Sequence, residues 1–430
     1  MLTQEYHVKK VQKKRPIEVC VPGSKSITNR ALLIAALAEG KSTLKGVLFS
    51  DDSRHFLQAL CDLGFEVEID EPGCTVTVLG CGGRLPNRAN SGSVYVGSAG
   101  TAARFLTAYL GMSEGCFHLD ASEQMRKRPM KELLVALEEI GADVTYENEP
   151  YHFPFSIGCA GRKKQEVTID VEKSSQFLSA LLIVAILFEE NFTIHVAGSH
   201  GMAYVEMTVA MMKQFGVRLL RPDAQTFVIP AGQRYIAREY DIEPDLSAAC
   251  YFYAMSPLLG VPARVHGVHS ECLQGDVRFL DVLKDMGCTV GEEKDGVLVL
   301  PPKDGKMHGG SWDLSGFSDQ ALTLAAIAPF ADAPVTIGHI GHIRLQECDR
   351  MAAIDKNLSA MGIACEKMED SVTIYPGTPH AAAIQTFEDH RVAMAFTLPG
   401  LVTEGIVIEN PSCCRKTFEH YFDVVDAALY

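Results

Sequence analysis

SITNRALLIAALAEG, residues 26–40, is an Ala-rich apolar segment entered through hydroxyl side chains and an arginine. Segments of the same kind open at Gly100 (GTAARFLTAYLG), Ser174 (SSQFLSALLIVAILF), Leu246 (LSAACYFYAMSPLLG), Ser318 (SDQALTLAAIAPF) and Asp389 (DHRVAMAFTLPG), at steps of 74, 74, 72, 72 and 71 residues. The chain therefore repeats, and each copy begins with a helix.

A second series lies between these segments. LCDLGFEVEI, LEEIGADVTY, MKQFGVRLL, LKDMGCTVG and LSAMGIACE each end an amphipathic pattern in a hydrophobic-Gly pair and continue toward a strand; their glycines are Gly64, Gly141, Gly216, Gly287 and Gly362. Glycine directly after a helical pattern is a C-terminal cap, because it enters the left-handed conformation at low cost. The repeat reads helix, strand, helix, strands, six times over. A sixth such glycine is due just past Tyr430, so the last copy is expected to be truncated or completed by the N-terminal strand.

A solenoid is one reading of a long repeat, but a unit of 72 residues is long for that architecture. At 430 residues the chain exceeds one ordinary core. Two α/β domains of three repeats each follow. Turn residues at Pro22-Gly23-Ser24 and Glu243-Pro244-Asp245 mark the crossings.

The net charge of −15 disfavours a nucleic-acid partner. The longest apolar run, residues 177–188, is too short to cross a bilayer. Pro16 and Glu18 interrupt the basic start where a signal peptide would turn apolar. Thirteen cysteines without a CxxC suit a reducing compartment. A cytoplasmic protein is expected.

The polar residues gather where the helices begin. The first helices open with Lys25, Ser26 and Arg30; GSAGTAAR; KSSQ; FSDQ; and EDHR with Arg391. The second helices open near Arg128, at QECDR with Glu347 and Arg350, and at CCRKT with Lys416. A helix start offers unpaired N–H groups and the positive end of the macrodipole, so added cations make it an anion site. The plainer reading makes Ser26, Ser174 and Ser318 caps and the cations solvated surface. Cations at matching positions of several repeats favour the anion site.

Other motifs fail. EGKST at residues 39–43 lacks the upstream glycine of a phosphate loop, since Ala35 stands there. No GxGxxG follows a strand, no GxSxG is present, and the HxxH pairs His266/His269 and His339/His342 lack the HExxH glutamate. What remains is Lys, Arg and Ser with the carboxylates Asp319 and Glu347, and no metal or cofactor is expected. That set suits two phosphorylated or carboxylated small molecules joined by proton transfers.

PGSKSITNRALLIAAL, GSAGTAAR, RKRPM, SSQFLSALL, QGDVRFLDVLKDMG, IRLQECDR, EDHRVAMAF and RKTF follow one another between Pro22 and Phe418. In that order they resemble the 5-enolpyruvylshikimate-3-phosphate synthase family. The resemblance implies an α/β fold, a two-domain inverse α/β barrel of six βαβαββ repeats. One domain would comprise residues 1–22 and 244–430 and the other 23–243, with the active site in the interdomain cleft. It implies transfer of the enolpyruvyl group of phosphoenolpyruvate to the 5-hydroxyl of shikimate 3-phosphate through a tetrahedral intermediate, by a monomer without metal or cofactor.

Carried over by motif, Lys25, Asp319 and Glu347 would be catalytic. Asp319 would hydrogen-bond the ring hydroxyls and act as base on the 5-hydroxyl, and Glu347 would handle the proton at the methylene carbon. Phosphoenolpyruvate would meet Lys25, Gly100, Arg128, Gln176, Arg350, Arg391 and Lys416. Shikimate 3-phosphate would meet Lys25, Ser26, Arg30, Ser174, Ser175, Gln176, Tyr204, Asp319 and Gln346.

The chain departs from the family pattern at Gln346 for Lys, His342 for Asn, Gly201 for Ser, Ser98 for Asn and Phe105 for Pro. Gln346 loses a positive charge. Gly201 loses a phosphate contact that Ser199 or His200 could supply. The related transferase acting on UDP-N-acetylglucosamine carries Cys or Asp where Glu123 stands here. A catalytically silent scaffold of the same fold would not need the intact Lys25, Arg128, Asp319, Glu347, Arg391 and Lys416.

Overall fold

The computed structural model describes residues 5–86, 91–159, 161 and 164–430. The chain divides into two compact units, Met1–Pro22 with Glu243–Tyr430, and Gly23–Ile242. They are called below the discontinuous and the continuous unit.

Each repeat builds one sheet. In the second, Ser91–Tyr95 runs parallel to Cys116–Asp120, which pairs antiparallel with Phe155–Cys159, which pairs antiparallel with Ala142–Tyr146. The helix Gly100–Gly111 joins the parallel strands and Lys131–Glu139 precedes the hairpin. Parallel neighbours need such a crossover, whereas antiparallel ones need only a short turn. The βαβαββ order follows.

At the chain crossings, strands are exchanged. Ile17–Val19 completes the sheet of the fourth repeat beside Ala263–Val265. Glu239–Asp241 completes that of the first repeat beside Glu39–Lys45. The sixth repeat has Ala382–Ile384 and Ile406–Glu409, and the N-terminal strand Glu5–His7 pairs antiparallel with the latter. Of the two outcomes left open for the last repeat, completion by the N-terminal strand is the one observed.

The Ala-rich segments form the interior. In the continuous unit, Lys25–Leu37, Gly100–Gly111 and Gln176–Val184 pack on one another, with every residue of the 100–111 helix buried. Leu246–Leu259, Ala321–Ile327 and His390–Ala395 do the same in the discontinuous unit. A helix apolar on all sides can only be stable when surrounded, so these lie inside and the sheets outside. Alanine lets the backbones come close. Gly80 shows how close: a Cβ there would overlap the carbonyl oxygens of Ala35 and Ala38 at the end of the 25–37 helix.

The five paired glycines cap the second helices as expected, with φ between +78° and +112°. In four of them the closing pair of bonds is formed, as in Gly216 N–H to Lys213 O at 3.1 Å and Val217 N–H to Met212 O at 2.9 Å. This satisfies carbonyls that the helix end would otherwise leave without donors.

Replacing Gly80 by Ala is expected to cost about 1–3 kcal/mol through overpacking. Gly232→Ala, at φ +76° with no atom within 4 Å, is expected to cost about 1 kcal/mol from conformation alone. Urea denaturation of the two variants measures this; equal stability of Gly80→Ala and the parent would contradict the close helix–strand approach.

Candidate active site

The chemistry-bearing residues form clusters within each unit. In the discontinuous unit the centre is Arg350, the first residue of the helix Arg350–Ala360 and only 1 % exposed. Its Nε lies 2.7 Å from Asp389 Oδ2, its Nη1 2.9 Å from Asp319 Oδ1, and its Nη2 3.0 Å from Glu347 Oε2. Nη1 also donates to Gln346 Oε1. Burial alone would disfavour the charge of Arg350, but the Asp389, Glu347 and Asp319 carboxylates outweigh it and raise its pKa above the usual range.

Two further cations reach the same carboxylates. Arg391 Nη2 is 2.8 Å from Asp319 Oδ2, and Lys416 Nζ is 3.6 Å from Glu347 Oε1. Asp389 is itself wholly buried and caps the helix His390–Ala395, accepting from Arg391 N at 2.9 Å. Its carboxylate thus fixes two arginines at once, one through the side chain and one through the backbone. The Cys348 thiol donates to Asp389 Oδ2 at 3.6 Å, and burial raises its pKa, so it is held as a neutral thiol. His342 Nε2 lies 2.8 Å from Ser318 Oγ, on the turn that carries Asp319.

The continuous unit is arranged differently. Arg30 is 2 % exposed. Its Nε donates to Thr208 Oγ1 at 2.7 Å, Nη1 to Ser26 O at 2.9 Å, and Nη2 to Tyr204 O at 3.1 Å and Ser179 Oγ at 3.4 Å. The Phe105 ring centroid is 5.5 Å from its Cζ. These partners are all neutral, and burial lowers the Arg30 pKa to about 10. A desolvated guanidinium held this way is complementary to an incoming anion. Lys25 Nζ is 3.8 Å from Asp52 Oδ2.

Gly100 and Arg128 meet, since a Cβ at Gly100 would stand 2.5 Å from Arg128 Nη1 and 2.7 Å from Arg104 Nη1. Arg104 holds that corner, donating to Gly100 O at 3.0 Å and Pro129 O at 2.9 Å. Gln176 Nε2 donates to Thr101 Oγ1 at 3.4 Å, which joins the starts of the 176–184 and 100–111 helices. Ser174 Oγ accepts from Gln176 N at 3.3 Å. The cap residues of the helices beginning at Lys25, Gly100 and Gln176 make no side-chain cap bond, although Ser174 Oγ already takes the Gln176 N–H. Ser26 therefore is not the cap of its helix, contrary to the plainer reading.

Several expectations need correction. Arg30 lies in the second turn of its helix, and Lys416 ends the short 3-10 turn Pro411–Lys416, so these cations are not at helix starts. Gln346 uses its oxygen toward Arg350, a role a lysine could not fill. Gly201 has φ +66°, and a Cβ there would lie 2.6 Å from Ser175 Oγ, so a serine would crowd Ser175. His266 and His269 stand beside Glu18 and Glu292. Asp389, Arg104, Thr101 and Asp52 were not singled out from the sequence. The one usable signal was Asp389 directly before a helical pattern, the position of an N-cap.

Residues 10–425 match the family model described as EPSP synthase (3-phosphoshikimate 1-carboxyvinyltransferase). The chain is 41 % identical over 411 residues to the 3-phosphoshikimate 1-carboxyvinyltransferase of Trichormus variabilis, covering 95 % of this chain and 96 % of that protein. It is 40 % identical to the enzyme of that name from Vibrio campbellii over 415 residues, covering 95 % and 96 %. Its fold is similar to that of the EPSP synthase of Acinetobacter baumannii, with TM-score 0.82 at 24 % identity over 99 % of this chain and 98 % of that one. The enolpyruvyl transferase NikO of Streptomyces tendae shares the fold at TM-score 0.73 and 17 % identity, covering 99 % and 96 %. With a family match and relatives that run almost end to end, the chain belongs to the EPSP synthase family.

Proposed function

We propose that this protein transfers the enolpyruvyl group of phosphoenolpyruvate to the 5-hydroxyl of shikimate 3-phosphate, giving 5-enolpyruvylshikimate 3-phosphate and phosphate on the way to chorismate and the aromatic amino acids. The observation that supports the chemistry best is the pair Asp319 and Glu347 held on one buried guanidinium, Arg350. Two carboxylates fixed apart on a common cation can serve two proton transfers without exchanging places.

In the addition, the 5-hydroxyl oxygen bonds to C2 of phosphoenolpyruvate. Asp319 takes the hydroxyl proton and Glu347 supplies a proton to the methylene carbon. In the elimination, the methyl carbon returns a proton to Glu347, the bond from C2 to the phosphate oxygen breaks, and the phosphate leaves with the proton that Asp319 had taken, which restores the carboxylate. Held between two guanidiniums, Asp319 is an anion and so an acceptor. Anions arriving at Arg350 and Arg391 would compete with Asp319 for those guanidiniums and leave its oxygens more basic.

Arg128, Arg350, Arg391 and Lys416, with the Gly100 backbone and Gln176, are assigned to the phosphate and carboxylate of phosphoenolpyruvate. Forked guanidiniums match both groups. Lys25, Ser26, Arg30, Ser174, Ser175, Gln176, Tyr204 and Gln346 are assigned to shikimate 3-phosphate, where the uncapped helix starts add N–H donors suited to anionic oxygens. Lys25 would also lie at the reacting hydroxyl, where its charge favours the departing proton. We place the reaction in the cytoplasm, carried out by a monomer. Among the described residues no helix is long and apolar enough to cross a membrane.

Phosphate release from phosphoenolpyruvate is expected with shikimate 3-phosphate as acceptor and not with UDP-N-acetylglucosamine; release with the second acceptor alone would overturn the reading. Asp319→Asn keeps the shape and loses the base, so turnover is expected to fall at least about 100-fold, with a lowered melting temperature because the buried Arg350 and Arg391 lose a carboxylate partner. Turnover within a few-fold of the parent would remove Asp319 from the mechanism. Gly100→Ala is expected to displace Arg128 and raise KM for phosphoenolpyruvate, leaving KM for shikimate 3-phosphate nearly constant; equal rises in both would contradict the assignment.

A further inference from the structure

Asp276 is a buried carboxylate that the scheme above does not use. It sits in the 3-10 turn Gly275–Arg278, 2 % exposed. Among the described residues it forms no salt bridge, unlike Asp319, Glu347 and Asp389. Its Oδ1 accepts from Gln320 Nε2 at 2.7 Å and from Ser247 Oγ at 3.1 Å. Gln320 is the residue after Asp319 in the turn Ser318–Gln320, and its Oε1 is held in turn by Thr323 Oγ1 at 2.9 Å. Ser247 lies in the first turn of the helix Leu246–Leu259. One carboxylate oxygen thus ties the turn bearing Asp319 to a buried helix of another repeat.

The charged and titratable groups that face Asp276 are Asp319 on that turn, Arg391 on the 390–395 helix, Asp245 and Cys250 at and within the 246–259 helix, and Cys272 before its own turn. The Cys250 thiol is pushed well above its ordinary value by burial, and Cys272 is raised to about 11, also chiefly by burial. Neither titrates in the working range. Burial, and next the like charge of Asp319, push Asp276 up to about 6.

The sign of that shift matters. A carboxyl whose folded pKa lies above its unfolded value opposes folding once it is ionised, and the penalty grows as pH rises through the folded pKa. At neutral pH the protein therefore carries Asp276 at a cost in stability, where an amide would offer an oxygen to the same donors without charge. Groups kept charged against the interest of stability belong with function more often than with architecture.

We propose that Asp276 is a positioning residue of the enolpyruvyl transfer, an ionised carboxylate behind Asp319 that fixes the turn carrying the base and, by its charge, strengthens the hold of Asp319 on the proton taken from the hydroxyl. The proposal rests on Asp319 being that base. No proton need move to Asp276; its negative charge acts through space, partly offset by Arg391. When Asp276 takes up a proton, Asp319 becomes a weaker base and turnover falls.

The test is the pH dependence of kcat between pH 5 and 9, followed by phosphate release at saturating shikimate 3-phosphate and phosphoenolpyruvate, for the parent, Asp276→Asn, Ser247→Ala and Asp319→Asn. The substrate phosphates also titrate near pH 6, but identically for every variant, so displacement of the acid limb between variants is the readout. Asp276→Asn is expected to lower kcat about 10-fold at pH 8, to move the acid limb to lower pH, and to melt no lower than the parent at that pH. Ser247→Ala removes one donor from the carboxylate, which disfavours its charged form, so the acid limb is expected to move up in pH.

An unshifted limb in both variants, with Asp319→Asn inactive, overturns the proposal and leaves Asp276 a structural residue. An active Asp319→Asn overturns instead the reading on which it rests. If Asp276→Asn does not fold, the direction of the Ser247→Ala shift decides alone.

Discussion

The discontinuous unit is organised around one physical problem, a guanidinium taken wholly out of water. Arg350 could not remain charged there without partners, and it has three carboxylates, Asp319, Glu347 and Asp389, within hydrogen-bond reach. Breaking such a group by removing one partner leaves a buried charge uncompensated, which is more costly than the pair is favourable. Each partner is therefore constrained by the others. Asp389 is fixed as a helix cap, Asp319 by a second arginine, and Glu347 by Lys416. Among the described residues, Arg350, Arg391 and Lys416 pair with Asp319, Glu347 and Asp389 before any substrate arrives. On the proposed mechanism, an entering anion would change which oxygens the cations hold and would leave Asp319 the stronger base.

The continuous unit solves the opposite problem. Arg30 is equally enclosed, but its partners are hydroxyls and carbonyls with an aromatic ring on one side. The unspent charge, with three helix starts whose cap residues make no side-chain bond, is what the proposed binding of shikimate 3-phosphate would use. The overall charge of −15 describes the surface and does not oppose this, since buried cations act at short range while surface charge is screened by salt.

Much of the fold was legible because its determinants are local. A glycine after an amphipathic run announces its own left-handed cap, and the spacing of Ala-rich runs sets the number of repeats. The exchanged strands Ile17–Val19 and Glu239–Asp241 were not legible, because three residues carry no periodicity that says which sheet they will join. In the site, residue types and order pointed to Asp319, Glu347, Arg350, Arg391 and Lys416. Asp389 and Asp276 escaped, because their partners lie tens of residues away in the chain and come near only when helices of different repeats pack. Gln346 and Gly201 have local partners that the sequence does not reveal: Arg350 uses the Gln346 oxygen, and Ser175 occupies the space a side chain at 201 would need.

The claim that Arg350 and Asp389 act as a unit to set the site is tested most directly by a double-mutant cycle on kcat/KM for phosphate release, with Arg350→Lys, Asp389→Asn and the pair. A lysine cannot reach three carboxylates at once, so each single change is predicted to cost about 100-fold or more and the double change little beyond the worse single one. Losses that simply multiply, or an Arg350→Lys enzyme within a few-fold of the parent, would show that the carboxylates are placed by something other than this guanidinium.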